Sequence, residues 1–186
     1  MCQIAGMRTT RCGEFNPGGY KRVWLIADDA FKKARVAWPS REHTKVNGVL
    51  SGTIVFAPVF TTEYAPEFVE FEVADNSCKV VCNAKGRKGS QSWDQSIEAR
   101  IFGASPEQMK AVAKLMNTGV VIVAEDNEGQ RFILGNSVNP LEPEIGFDSG
   151  MKGTDERGFT FKYKGDGYGL PATPISDSIL LPGIPA

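Results

Sequence analysis

The sequence contains few of the residues on which enzymes and metal sites depend. Its 186 residues include a single histidine, His43, and four cysteines. A zinc site needs closely spaced cysteine pairs or further histidines, whereas Cys78 and Cys82 stand four positions apart with neither. A Gly-x-Ser-x-Gly nucleophile motif and a phosphate loop leading into a helix are also absent. We therefore expect no metal, no cofactor and no enzymatic activity, with a thiol hydrolase built on His43 as an alternative.

Long apolar runs and an excess of charge are missing too. No run of about 18 apolar residues is present, so we expect no membrane partner. The first residues lack the charged start and apolar stretch of a signal peptide, which favours synthesis in the cytoplasm. The 21 basic and 22 acidic residues give a net charge of -1. This balance argues against general binding to polyanions, because domains that bind them are usually strongly basic.

The charges that are present are unevenly distributed along the chain. Residues 1–50 hold nine basic and four acidic groups, a net +5, and residues 51–186 hold twelve and eighteen, a net -6. Such a dipole suits a protein whose basic part docks on the acidic part of an identical neighbour. Two solvated faces of opposite charge are the alternative interpretation.

Short strands dominate the predicted secondary structure, and 20 glycines with 11 prolines indicate many turns. Apolar runs and period-two alternation predict strands at 20–27, 52–57, 67–74, 77–84, 91–101, 120–124, 131–134 and 159–163. The turn at 75–76 predicts a hairpin between the third and fourth of these strands. The sequence therefore predicts a mainly β fold, an antiparallel β-sandwich or half-open barrel.

One flanking α-helix is predicted over 106–117. Ser105 and Gln108 have the spacing of a capping box, and Pro106 suits the first helical position. The apolar residues at helical spacing predict that one stripe packs on a sheet; they are Met109, Val112, Ala113 and Met116.

The chain is expected to form one domain, 1–186, with three segments outside the regular pattern. These are an N-terminal arm over 1–19, a long loop or hairpin extension over 28–48, and a proline-rich C-terminal tail over 165–186. Residues 137–158 are expected to be loop-like. A long loop in a small domain is often an interaction element. The apolar tail should dock on its own domain or on a neighbour.

Two sets of residues are candidates for the functional surface, the first for contacts between copies of the chain and the second for a solvent-facing surface. The first set pairs the 28–48 segment with an acidic hairpin tip and comprises Lys32, Lys33, Arg35 and Trp38 with Glu125, Asp126 and Glu128. The second set is the polar face of strand 91–101 and comprises Ser92, Asp94, Ser96, Glu98 and Arg100. A nucleic-acid-binding β-barrel is the alternative function, and it would use basic residues interleaved with aromatic ones such as Trp24 and Trp93.

Residues near both ends of the chain resemble bacteriophage tail tube proteins, which stack as rings into the central tube of the tail. The stretch 12–26, CGEFNPGGYKRVWLI, is similar to their opening, in which a glycine-rich turn leads into the first strand. The stretch 148–163, DSGMKGTDERGFTFKY, resembles their closing glycine loop and final strand. The order of elements between these stretches also matches, over about three quarters of the chain.

The resemblance implies a structural subunit of the virion tail that forms stacked homo-oligomeric rings, usually of six, beside other tail proteins. One sheet would continue through neighbouring subunits around the channel, and DNA would pass through without specific binding. The polar face of strand 91–101 would line the lumen. Reversing Lys32, Lys33 and Arg35 to glutamate is expected to block tube growth. Another tail component, such as a tail terminator or baseplate protein, is a related alternative.

Overall fold

The chain forms two antiparallel β-sheets whose inner faces share one apolar core. The computed structural model describes residues 18–40, 52–60, 66–74, 77–152 and 156–185, and the backbone alone of 45–46 and 49–50. The predicted mainly β sandwich is confirmed, and the sheets do not close into a barrel.

The strands and helices of the described residues follow one another in a fixed order. They are β1 Tyr20–Ala27, α1 Asp28–Ala34, β2 Lys45–Val46, β3 Val49–Leu50, β4 Val69–Phe71, β5 Lys79–Arg87, β6 Ser90–Phe102, α2 Pro106–Leu115, β7 Val120–Asp126, β8 Arg131–Leu134, β9 Glu142–Asp148, β10 Gly158–Tyr168 and β11 Thr173–Pro174. The first sheet has the order β11-β8-β7-β1-β4, and the second sheet has the order β5-β6-β10-β9. Strands β2 and β3 pair only with each other.

The first sheet is buried on both faces, which explains the continuous apolar runs of β1 and β7. On β1, Val23 and Leu25 face the second sheet, whereas Trp24 and Ile26 face a separate apolar cluster. Side chains alternate between the faces of a strand, so burial of both faces removes the polar positions that a half-exposed strand keeps. Both runs therefore read as apolar throughout.

The C-terminal tail supplies much of the cover over the outer face of the first sheet. Ile175, Ile179, Leu181 and Ile184 are buried there beside residues of α1. The tail also hydrogen-bonds to the chain, because the Ile54 amide donates to the Pro174 carbonyl at 2.8 Å. The expectation that the tail docks is thus confirmed on its own domain.

Helix α1 lies in the segment for which the sequence predicts a loop. Acidic residues occupy its first turn and basic residues its last, as the helix dipole favours. Its seven residues show no clear helical period, and it ends at Arg35 with φ 54° rather than at a glycine. The usual stop signal is therefore missing from the sequence.

Three predictions about strands are wrong. The predicted strand 52–57 is irregular, with only an isolated bridge between Ile54 and Ile175. Strand β9 forms within 137–158 although it contains Pro143, because an edge strand tolerates a residue without an amide hydrogen. Strands β4 and β5 do not pair with each other; β4 pairs with β1, and β5 pairs with β6 across a Lys88-Gly89 turn. The segment between β4 and β5 therefore crosses from one sheet to the other.

Helix α2 begins as predicted but packs less than predicted. The Ser105 hydroxyl accepts from the Gln108 amide at 3.2 Å, and the Ser105 amide donates to Gln108 Oε1 at 2.8 Å. Only Val112 and Leu115 pack against the sandwich core. The two methionines of the predicted stripe, Met109 and Met116, are exposed, Met116 at 57%.

Candidate functional site

The second sheet has two long edges with unpaired backbone in the described part of the chain. Strand β5 has nine residues and β9 has seven, and among the described residues each pairs on one side only. The first sheet ends instead in β4, with three residues, and β11, with two. Short edge strands limit unwanted pairing, whereas long ones offer a template for another strand. The open edges of the second sheet are thus its most distinctive surface.

The two open edges carry opposite charges. Strand β5 contains three basic residues and no acidic one, and β9 contains three acidic residues and no basic one. They are Lys79, Lys85 and Arg87 on β5, and Glu142, Glu144 and Asp148 on β9. Opposite charges on neighbouring strands stabilise a sheet, and like charges destabilise it. The β5 edge of one copy should therefore attract the β9 edge of another copy, whereas two β5 edges or two β9 edges should repel each other.

The outer face of the second sheet is polar, as predicted for strand 91–101. The five predicted residues of β6, Ser92, Asp94, Ser96, Glu98 and Arg100, alternate with core-facing Trp93, Gln95, Ile97, Ala99 and Ile101. Lysines of β10 share this outer face, because Lys162 lies opposite Glu98 and Lys164 lies opposite Ser96. The face of the whole sheet is therefore hydrophilic.

Ion pairs join neighbouring strands across this face. Lys85 on β5 contacts Asp94 on β6, and Lys164 on β10 contacts Glu144 on β9. The hydrogen bond from Lys164 lowers the pKa of Glu144, and the pKa of Lys85 is raised by its hydrogen bond to Asp94. Three of the four side chains are exposed and Asp94 is half-buried, so the pairs fix charge positions more than they add stability.

An apolar groove of about 210 Å³ lies beside the open edge of β9. Val112 of α2 and Met116, which directly follows α2, form one wall, and Ile145, Phe147 and Phe159 form the other. Phe147 is 50% exposed although it contacts the Phe159 ring. Exposed apolar surface of this kind often marks a contact with another protein.

A second cleft, of about 300 Å³, lies next to the buried amide of Gln95. The Gly135 amide donates to Gln95 Oε1 at 2.7 Å, and Gln95 Nε2 donates to the Leu170 carbonyl at 3.0 Å. Both ends of the side chain are therefore engaged inside the protein. Gln95 ties the second sheet to the first sheet and the tail rather than presenting a free polar group.

The basic candidates of the first set lie on and just after α1. Lys32 is exposed, and its Nζ lies 2.5 Å from Asp28 Oδ2. That hydrogen bond raises the pKa of Lys32. Lys33 and Arg35 are exposed as well. Their contact with another copy stays a prediction.

Two other members of the first set are corrected by the structure. Trp38 is 0% exposed, stacks on Phe31 and donates from Nε1 to the Phe56 carbonyl at 2.8 Å, so it belongs to the core. Glu125 is buried between Lys21 at 3.0 Å and Arg131 at 3.3 Å. Its charge is neutralised within its own chain.

The remaining residues of the acidic tip differ in their roles. Asp126 Oδ1 accepts from the amides of Glu128 at 2.9 Å and Gln130 at 2.8 Å, so this carboxylate builds the turn. Glu128 is exposed. Glu128 is therefore the acidic member of the first set that is free of these internal contacts and available to a neighbour.

Several residues of the alternative functions are buried or partly buried in the described part of the chain. Trp24 is fully buried and Trp93 packs against the core, so Trp24 cannot stack on a base. Burial raises the pKa of the Cys78 thiol to about 12 and also raises the pKa of Cys82. A thiolate nucleophile at neutral pH is therefore disfavoured at both positions. His43 lies outside the described residues.

Sequence reasoning missed the acidic edge. The three acidic residues are Glu142, Glu144 and Asp148, and the prolines and glycines around them indicate a loop. Their grouping on one sheet edge becomes visible only when β9 is recognised as a strand. The alternation of Glu142, Glu144 and Gly146 with Pro143, Ile145 and Phe147 is the signal that was available.

Comparison of the chain with protein-family models, with curated proteins and with solved structures gives no significant match. Among the described residues, neither helix is long and apolar enough to cross a membrane. Function must therefore be inferred from the geometry of the second sheet.

Proposed function

We propose that the chain is a self-assembling structural subunit of the bacteriophage tail tube type, whose second sheet continues from copy to copy around a channel. The observation that carries this proposal is a sheet with two long open edges of opposite charge and a polar outer face. The order of elements that resembles tail tube proteins agrees with it. Rings of six, a place in the virion tail and contacts with other tail proteins follow from that resemblance.

The strand directions of the second sheet favour ring closure. Its strands are all antiparallel and their number is four, so β5 and β9 run in opposite directions. When all copies point the same way along a ring axis, β9 of one copy meets β5 of the next in antiparallel orientation. The antiparallel pairing of the second sheet therefore continues from copy to copy, and the second sheet has no open edge once the ring closes.

The polar outer face supports a water-filled lumen. Cationic and anionic side chains alternate there, as in Lys162 facing Glu98 at 3.8 Å. A surface of mixed sign offers DNA no continuous positive track, so the duplex can slide through without being held. Ser92, Asp94, Ser96, Glu98 and Arg100 are the lumen residues of this proposal.

The apolar groove beside β9 supports the same arrangement. A strand added to the edge of β9 would approach Phe147 and Met116, which are half-exposed in the single chain. Burial of this surface would add to the backbone hydrogen bonds of the new strand pair. The tail is already packed in its own core, whereas Lys32, Lys33 and Arg35 of the α1 region are exposed and would make contacts between stacked rings.

Electron microscopy and sedimentation of the purified protein at rising concentration test the proposal. Rings or tubes with a central channel are expected. A protein that stays monomeric at high concentration contradicts it, and monomers that bind single-stranded nucleic acid with steep salt dependence support the β-barrel alternative.

The variant Lys32→Glu, Lys33→Glu, Arg35→Glu separates ring formation from stacking. The open edges of the second sheet are unchanged in it, so we expect rings to form while tube growth is blocked. Normal tubes from this variant would exclude α1 from the stacking contact.

A further inference from the structure

Charges of alternating sign form one continuous row across the outer face of the second sheet. The register places Lys79 of β5 opposite Glu98 of β6, and Glu98 opposite Lys162 of β10. Lys162 in turn lies opposite Glu144 of β9. The row therefore begins with a cation at one open edge and ends with an anion at the other.

We infer that this charge row selects the partner edge: β5 of one copy pairs with β9 of a second copy, Lys79 with Glu142 and Glu144 determine that choice at the junction, and Lys85 adds to the positive charge of the β5 edge. The inference rests on the proposed function and adds the residues that give the assembly its direction. When Glu144 of one copy is followed by Lys79 of the next, the alternation continues across the junction without interruption. Opposite charges on adjacent strands are the favourable cross-strand arrangement.

The same charges disfavour the competing ways of covering an open edge. Two β5 edges brought together place lysines against lysines, and two β9 edges place glutamates against glutamates. Either pairing is a closed two-fold dimer, which would remove subunits from ring assembly. Like charges held opposite each other in a sheet repel, so the charge row destabilises both two-fold dimers while it stabilises the contact between β5 and β9 in the ring.

The charge pattern tolerates small shifts in register between copies. Lys79 and Lys85 lie on the outer face of β5, and Glu142 and Glu144 lie on the outer face of β9. Directly opposite and diagonal neighbours are both within reach of long side chains. A shift of two residues in either direction therefore leaves Lys79 opposite or diagonal to a glutamate of β9, whereas Lys85 lies beyond the end of β9 in these registers.

Two reversed variants and their mixture test the inference. The β5-reversed variant is Lys79→Glu with Lys85→Glu, and the β9-reversed variant is Glu142→Lys with Glu144→Lys. Each alone has two edges of the same sign, so its assembled fraction in sedimentation velocity should fall by at least about tenfold. In an equimolar mixture each edge finds an opposite partner, and assembly should return, with both variants in the same ring when one is fluorescently labelled.

A matched control separates edge charge from net charge. Lys110→Glu with Lys114→Glu changes the net charge as much as the β5-reversed variant does, at exposed positions of α2. This control should assemble like the wild type. An equal loss in the control overturns the inference, and so does a mixture that stays unassembled while both reversed variants keep the wild-type circular dichroism and melting temperature.

The salt dependence of the wild type tests the inference without any substitution. Raising the salt from about 0.05 to about 0.5 M should increase the concentration needed for assembly, because exposed charges are screened. If the concentration needed for assembly does not change with salt, the inference that the charge row directs assembly is overturned, even when a reversed variant fails to fold. A wild type that never assembles refutes the proposed function itself. Rings whose assembly is unchanged by salt and by charge reversal refute only this inference.

Discussion

Replacing Tyr163 by phenylalanine should stabilise the protein. The Tyr163 side chain is 3% exposed in the core between the two sheets, and its hydroxyl has no hydrogen-bond partner among the described residues. Burial raises the pKa of this phenol, so the hydroxyl stays neutral. The adjoining void of about 10 Å³ has a mainly apolar lining and suits no bound water. The hydroxyl therefore loses its hydration on folding without compensation.

The structure gives the expected size of the effect. Leaving a buried polar group unpaired costs about 1–3 kcal/mol. Removing one oxygen enlarges the void by roughly 10 Å³, which costs about 0.2 kcal/mol because stability falls by about 24 cal/mol for each Å³ of cavity. The free energy of unfolding should therefore rise by about 1 kcal/mol or more, and the melting temperature by about 2–4 °C. Urea unfolding and thermal melting measure both quantities.

Tyr168→Phe is the matched control. Tyr168 is 4% exposed, but its hydroxyl donates to the Asn139 carbonyl at 3.0 Å. Losing this hydrogen bond should lower the free energy of unfolding by about 1 kcal/mol. The same chemical change should thus have opposite signs at two tyrosines of one strand. If Tyr163→Phe destabilises the protein as much as Tyr168→Phe does, the reasoning about the unpaired hydroxyl is refuted.

Two further predictions concern close packing and alkaline pH. In Gly165→Ala the added methyl would collide with the Tyr168 hydroxyl, so the variant should lose about 1–3 kcal/mol in urea unfolding, whereas Gly146→Ala meets open space and should change stability by less than about 0.5 kcal/mol. Equal effects would contradict this. The Cys78 thiol has a pKa of about 12 when folded against 9.0 in the reference state, so its contribution is complete below pH 9 and is lost as pH rises towards 12. Between about pH 8.5 and 10 the wild type should therefore lose about 1 kcal/mol more than Cys78→Val, and parallel pH profiles would show that the thiol is not the cause.

Local patterns in the sequence were sufficient for several elements. The run from Val23 to Ile26 required a strand buried on both faces, and Ser105 with Gln108 required a helix start. The alternation from Ser92 to Arg100 required one wet face. In each case the information lies within a few neighbouring residues, because strand alternation and helix capping are local effects.

Other elements depend on distant contacts and left no clear local signal. Strand β9 is a strand because β10 pairs with it along its length, despite Pro143. Trp38 looks like a surface residue in a charged stretch, yet the tail and Phe68 enclose it. Helix α1 is stable because Ala30 and Phe31 pack on the first sheet, although seven residues are too few for an isolated helix.

The sequence by itself determined that this chain is a mainly β domain with a polar strand face and an uneven charge distribution, because period and composition are properties of neighbouring residues. Only the tertiary structure decided which charges matter. It neutralised Glu125 inside the chain and assembled Lys79, Glu98, Lys162 and Glu144 into one row. Those four residues come from two pairs of consecutive strands that are separated in the chain, β5 with β6 and β9 with β10, and their alternation exists only because backbone pairing sets the register between strands.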